Sequence, residues 1–146
     1  MQRKQRRRKN LSSAALIKNS ENQYFVYLGD TGADRIEGTE QLADLWKAIA
    51  PIIKEKRLKG IAIECSYSNE QPENQLYGHL TPRLLTEEME NLEKLVGEEG
   101  LKGLNLIITH IKPKKNIHQK VKRELNVLYK KGIKIIFAEQ GKIINL

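Results

Sequence analysis

Cysteine and histidine are scarce in this chain. Its 146 residues hold one cysteine, Cys65, and three histidines, His79, His110 and His118. A lone cysteine excludes an internal disulfide and a cysteine-rich zinc site. No His-x-His pair occurs anywhere in the sequence. No apolar run approaches the ~20 residues needed to cross a bilayer. The basic N-terminus is not followed by the apolar stretch of a secretory signal. A cytoplasmic protein with no membrane partner is the expectation. Internal repeats are absent, and the only biased stretch is the N-terminal one.

Apolar residues make up 39% and charged residues 30%, a balance that favours a globular chain over a disordered one. The length suits one domain with a real core. The formal net charge of +8 is unevenly spread. Six basic residues (Arg3, Lys4, Arg6, Arg7, Arg8, Lys9) crowd the first nine positions, and the rest of the chain is nearly balanced. Residues 1–10 are therefore expected to form a disordered basic tail, and 11–146 the folded part. Such a tail suits nucleic acid, anionic lipid or an import receptor, or is simply a solvated end. A near-neutral body argues against a nucleic-acid partner.

The hydropathy pattern alternates strands with helices. Residues 12–17 and 23–28 read as a β-hairpin across a polar turn, followed by a loop from Gly29 to Gly38. A helix is expected from about Thr39, with Leu42, Leu45, Trp46, Ile49 and Ile53 as its buried stripe and a kink or early break at Pro51. Gly60–Cys65 reads as a buried strand. Thr81-Pro82 opens a second helix, with Thr as N-cap and Pro at the first helical position, and Gly97 and Gly100 close it. A strand over 104–108, a helix over 117–128, and two short strands, 133–137 and 143–146, complete the chain. This alternation predicts an α/β fold with a sheet covered by helices.

Three segments place reactive groups just past β-like runs. Asp30 follows the second strand between Gly29 and Gly32, where the backbone can bring a carboxylate close to a ligand. It suits a metal bridge or the orienting of a nucleophile, and equally an ordinary turn. His110 follows Leu-Ile-Ile-Thr, a rigid position for metal ligation or a plain surface loop. Glu64 ends an apolar strand, where a carboxylate is costly unless paired. His79 precedes a helix N-terminus. Together they suit a carboxylate–imidazole pair in which Glu64 orients His79 as a general acid, or a structural hydrogen bond. Lys112, Lys114 and Lys115 favour an anionic substrate or form a solvated run. Cys65 reads as packed and inert, and His118 as a surface residue.

These residues resemble the class II cyclic nucleotide phosphodiesterases of the metallo-β-lactamase superfamily. The resemblance covers Leu11 to Leu146. It rests on Ser12–Ile17, Tyr27-Leu28-Gly29-Asp30-Thr31-Gly32-Ala33-Asp34, Glu64-Cys65-Ser66-Tyr67-Ser68-Asn69, Gly78-His79-Leu80-Thr81-Pro82 and Thr109-His110-Ile111-Lys112-Pro113. It implies the C-terminal half of an αββα sandwich: one mixed sheet with covering helices, plus the hairpin. It implies a hydrolase with two metal ions, usually zinc, that opens the cyclic phosphate of cAMP or cGMP to the 5′-monophosphate. By that carry-over Asp30 bridges the metals, His110 is a further ligand, and Glu64 and His79 assist proton transfer to the departing oxygen.

The departure from the family is the upstream His-x-His-x-Asp-His sequence, which this chain lacks. Each zinc needs about four ligands, so Asp30 and His110 alone do not make a dinuclear site. The expectation is a chain inactive alone, completed by a companion chain or self-associating through an uncovered sheet face that includes Phe25, Ile63 and Ile107. Two alternatives stand beside it. One is a catalytically dead remnant that binds a nucleotide or protein; the other is half of a related metal-dependent RNA-processing nuclease.

Overall fold

The computed structural model describes residues 13–146, so the expected basic tail lies outside the described residues. The first hairpin joins β1 (Ala14–Lys18) to β2 (Tyr24–Leu28) in antiparallel register. Its turn is tied by Asn19, whose Oδ1 accepts from the backbone N–H of Glu21 at 3.0 Å and of Gln23 at 2.9 Å. Asparagine is suited to this because its short amide reaches its own backbone.

Three strands then add in parallel: β3 (Leu58–Glu64), β4 (Asn105–Thr109) and β5 (Lys134–Phe137). The sheet order is β1-β2-β3-β4-β5. Each parallel crossover carries helices. Helices α1 (Asp34–Glu37) and α2 (Gln41–Lys54) link β2 to β3; α3 (Pro82–Val96) and α4 (Glu98–Leu101) link β3 to β4; α5 (Ile117–Glu124) and α6 (Asn126–Lys130) link β4 to β5. Crossovers of one hand that always step in the same direction must put every helix on the same face. The core shows this. Val26, Leu28, Ile61, Ile63, Leu106 and Ile108 pack in one cluster with Trp46, Leu84, Leu85, Met89 and Val121. The expected α/β half, one mixed sheet with covering helices and an N-terminal hairpin, is present.

The opposite face is only partly covered. Ile17 and Tyr27 are 53% and 49% exposed there, whereas Ile107, expected to lack cover, is only 4% exposed. Ile63, expected on this face, is fully buried on the other. The register decides it, since Ile63 pairs with Ile108 while Ile107 pairs with Ala62. The chain end passes over the bare face instead of forming the strand expected at 143–146. A Cβ on Gly60 would meet Ile107 Cδ1 at 3.0 Å and Leu146 Cδ1 at 3.3 Å. The apolar end thus meets sheet side chains rather than the β5 edge, and Ile143 is left 89% exposed.

Other differences are local. The loop after β2 contains α1. Helix α2 runs through Pro51 to Lys54 without breaking. Only one turn follows the proline; it is closed by the Glu55 N–H to the Pro51 carbonyl at 3.0 Å and anchored by buried Ile53. Leu125 divides the expected 117–128 helix into α5 and α6. Gly97 caps α3, whereas Gly100 lies within α4. Thr81 caps α3 as expected, accepting from Leu84 N at 3.4 Å.

Helices α2 and α3 meet through a buried polar contact. Trp46 Nε1 donates to Glu88 Oε2 at 2.8 Å, and both side chains are almost wholly buried. Burial pushes the Glu88 carboxyl above its ordinary value of 4.5; the Trp46 hydrogen bond opposes this and the Asp34 charge adds to it. A carboxyl raised on folding binds more protons folded than unfolded, so stability falls as pH rises from about the unfolded value through the folded one. Glu88→Gln keeps an acceptor for Trp46 and removes the charge. Its urea-unfolding stability is expected to lose less than the wild type's between pH 4.5 and neutrality. Parallel pH profiles for the two proteins would contradict this.

Candidate metal centre

Ligands of open α/β sheets gather outside the carboxyl ends of parallel strands. In this chain those ends carry Asp30, two residues past β2; Glu64, the last residue of β3; and His110, the first past β4. The loops are tied together by backbone bonds: Cys65 N–H to the Thr109 carbonyl at 3.1 Å and Lys112 N–H to the Ser66 carbonyl at 3.0 Å. The Asp30 loop is fastened downstream by Asp34. Its carboxylate accepts from Leu42 N at 3.1 Å and Ala43 N at 2.8 Å, capping α2 from outside the helix.

His79 arrives through the long loop between β3 and α3. Asn69 anchors that loop by donating its N–H to Glu124 at 2.9 Å and accepting from Arg83 N at 2.7 Å. Arg35 bridges Glu73 and Glu87 at its surface. Exposed ion pairs contribute at most about 1 kcal/mol each, so the buried contacts below matter more for placing His79. The last turn, Leu76 to His79, closes with a 3.2 Å backbone bond and has positive φ at Tyr77 (53°) and Gly78 (81°).

One donor atom each from Asp30, His79 and His110 lies within 4.8 Å of the others. His110 Nε2 is 3.6 Å from Asp30 Oδ1, and the His79 and His110 rings stack at 5.4 Å with a 20° interplanar angle. Among the described residues this is the only such group. One carboxylate and two imidazoles form a donor set that suits zinc or a similar divalent ion, and three protein ligands with an open position is the pattern of catalytic zinc. The residues therefore fit one ion; they are too few for two. His118 is elsewhere, against the Phe137 ring at 4.9 Å.

Glu64 sits behind this group, 1% exposed. Its carboxylate meets five donors. Oε1 takes Thr31 N–H at 3.0 Å and His79 Nδ1 at 3.0 Å; Oε2 takes Ser66 N–H at 2.9 Å, Ser66 Oγ at 2.7 Å and Leu80 N–H at 3.3 Å. Three of these are backbone N–H groups with a fixed proton, so the ionised carboxylate is the form this pocket satisfies. The proton between Glu64 and His79 then belongs to Nδ1. Ser66 Oγ, 3.2 Å from that nitrogen, spends its own hydrogen on Glu64 and accepts a share of the Nδ1 proton. The tautomer of His79 is thereby set, and Nε2 is its working nitrogen.

All four sequence-predicted site residues, Asp30, Glu64, His79 and His110, converge at this end of the sheet. His79 stands closer to the metal donors than its expected part in proton transfer required. Sequence reasoning assigned no role to Ser66 or Thr31; hydropathy gives no sign of them, and their presence in the quoted motifs was the only signal. Cys65 is fully buried, and burial pushes its thiol well above the usual range, so it is inert as expected.

Residues 3–141 match the family described as class-II cAMP phosphodiesterases. The chain belongs to that family. It is 41% identical over 134 residues to a 3′,5′-cyclic-nucleotide phosphodiesterase of Aliivibrio fischeri, covering 89% of this chain and 41% of that protein. A probable 3′,5′-cyclic-nucleotide phosphodiesterase of Yersinia pestis is 40% identical, with 88% and 39% covered. The crystal structure of unliganded yeast PDE1 superposes with a TM-score of 0.78 at 32% identity, over 88% of this chain and 38% of that one. This family member thus spans about two-fifths of the length of the curated relatives it matches.

Glu64→Gln places an amide NH₂ where the pocket offers only donors. Leaving buried donors facing a donor costs a few kcal/mol. The expected loss is about 3 kcal/mol of unfolding free energy in urea, with His79 losing its fixed tautomer. An unchanged midpoint would show that the network does not hold the loop.

Proposed function

We propose that this chain supplies the proton-transfer pair and part of the metal-ligand set of a 3′,5′-cyclic nucleotide phosphodiesterase, acting on cAMP or cGMP. The observation that carries the reading is the Asp30–His79–His110 donor group set directly against the buried Glu64–His79 pair. Family membership supports the same substrate class. When bound, divalent metal, zinc in the first instance, neutralises phosphodiester charge and provides a hydroxide nucleophile near neutral pH.

The chain's own residues divide the remaining work. Asp30 and His110 hold metal. Glu64 keeps the Nδ1 proton on His79, so neutral His79 offers its Nε2 lone pair, and protonated His79 offers a proton there. In hydrolysis water adds to phosphorus, the P–O3′ bond breaks, and O3′ takes that proton to leave the 5′-monophosphate. Glu64 stabilises the charged imidazole before the transfer. No described helix is long and apolar enough to cross a membrane, and a cytoplasmic site of action is part of this reading.

With His79 kept for the proton, Asp30 and His110 are too few ligands even for one ion, so a dinuclear site draws its other ligands from a companion chain, seated on the bare sheet face, or from the rest of a longer protein. The small ligand number equally favours a second reading, a remnant that binds nucleotide without cleaving it. Calorimetry with cAMP in EDTA separates the two, because only the remnant binds without metal.

The direct test replaces the matching segment of the Aliivibrio fischeri enzyme with residues 13–146. The chimera is expected to hydrolyse cAMP, to stop with chelator and to recover with zinc or manganese. Its His79→Ala form is expected to lose about 100- to 10,000-fold in kcat. A folded, metal-loaded chimera without hydrolysis, or a His79→Ala form at full rate, would end the proposal. The 146-residue chain alone is expected to be inactive and to self-associate through the bare face. A clean monomer on sizing would contradict the second part.

A further inference from the structure

The metal centre is lined by negative and neutral groups, yet a phosphodiester is an anion. Asp30 and Glu64 both bring carboxylates, and among the described residues the donor group itself contains no arginine or lysine. Among the described residues, Lys112 is a cation at the rim. Lys112 Nζ lies 5.9 Å from the centroid of the Tyr67 ring, and that ring meets His79 edge-on at 5.8 Å. His79 in turn stacks on His110. Lys112, Tyr67, His79 and His110 thus form one continuous wall.

Lys112 is placed rather than loosely solvated. Its N–H bonds to the Ser66 carbonyl at 3.0 Å and its carbonyl accepts from Lys114 N at 2.8 Å. Its neighbour Ile111 and its ring partner Tyr67 both pack against the core. The side chain is half-buried. Lys120, Lys131 and Lys142 each hold a carboxylate, whereas Lys112 forms no ion pair among the described residues. A half-buried ammonium that holds no carboxylate among the described residues keeps its capacity for an incoming anion. An aromatic face adds a modest attraction and limits where the ammonium can go.

We propose that Lys112, steadied over Tyr67, is the phosphate-oxygen subsite of this centre. It takes a phosphate monoester or diester and aims its phosphorus at the metal donors. Lysine suits this as a mobile point charge with three donors. The proposal deepens the phosphodiesterase reading and rests on it for the substrate, but not for the anion chemistry.

The test is a heteronuclear NMR titration of the full 146-residue chain, in chelator, with inorganic phosphate, 5′-AMP and cAMP. Phosphate and 5′-AMP are expected to shift the amides of Tyr67 and Lys112 and the Tyr67 ring in a saturable way. Lys112→Ala is expected to weaken binding about tenfold, the loss of one charge-assisted contact. Lys112→Arg is expected to restore most of it, and Lys115→Ala to leave it unchanged. Absence of saturable shifts, shifts confined to other lysines, or a Lys112→Ala chain that binds like the wild type would overturn the subsite. In the active chimera, Lys112→Ala is expected to raise KM with little change in kcat. An active chimera indifferent to that change removes the subsite alone. Phosphate held at Lys112 with cAMP ignored keeps the subsite and removes the cyclic-nucleotide reading.

Discussion

The buried carboxylate of Glu64 is the constraint on which the site depends. A charge this deep is tolerated only when every lone pair is used. Glu64 meets the condition by drawing donors from three separate stretches of chain: Thr31 after β2, Ser66 after its own strand, and His79 with Leu80 before α3. Folding the carboxylate therefore folds the three loops onto one another. The same requirement that makes the residue affordable to bury also fixes the tautomer of His79 and its distance from Asp30 and His110.

The sheet supplies the frame. Its strictly sequential order sends every crossover to one side, which leaves the hairpin residues Ile17 and Tyr27 half-exposed on the other face. Parallel strands also bring their carboxyl ends to one edge, so residues 30, 64 and 110, far apart in sequence, share a single rim. Surface ion pairs such as Arg35 with Glu73 and Glu87 hold the outer loop, but their solvent exposure makes them minor beside the buried network. The site is one-sided, like the fold that carries it: two carboxylates and two imidazoles lie along one rim.

Much of this was legible in the chain. Apolar runs of strand length, the Thr81-Pro82 helix start and the Asn-rich hairpin turn are local signals, and all but the terminal run became the element they indicated. The reactive residues were also legible, because a carboxylate or imidazole just past an apolar run marks a strand end. Less local features were not. The terminal Ile-Ile-Asn-Leu has strand-like composition, but packing on Gly60 and Ile107 competes with pairing at an edge, and packing prevailed. Ile63 and Ile107 look alike in sequence; a register set by neighbouring strands sends them to opposite faces. Pro51 breaks helices in general, yet one anchored turn beyond it was enough to carry α2 on.

By itself the sequence determined which elements form, which residue types stand at their ends, and that too few histidines are present for two metal ions. Those are properties of neighbours along the chain: propensity, periodicity and composition. Only the tertiary structure decided that donor atoms of Asp30, His79 and His110 lie within 4.8 Å of one another, that Glu64 is buried and fully bonded behind them, and that Lys112 stands over Tyr67. The reason is that hydrogen bonds and ligand distances depend on angles between strands and loops, which long-range packing sets and no local pattern encodes.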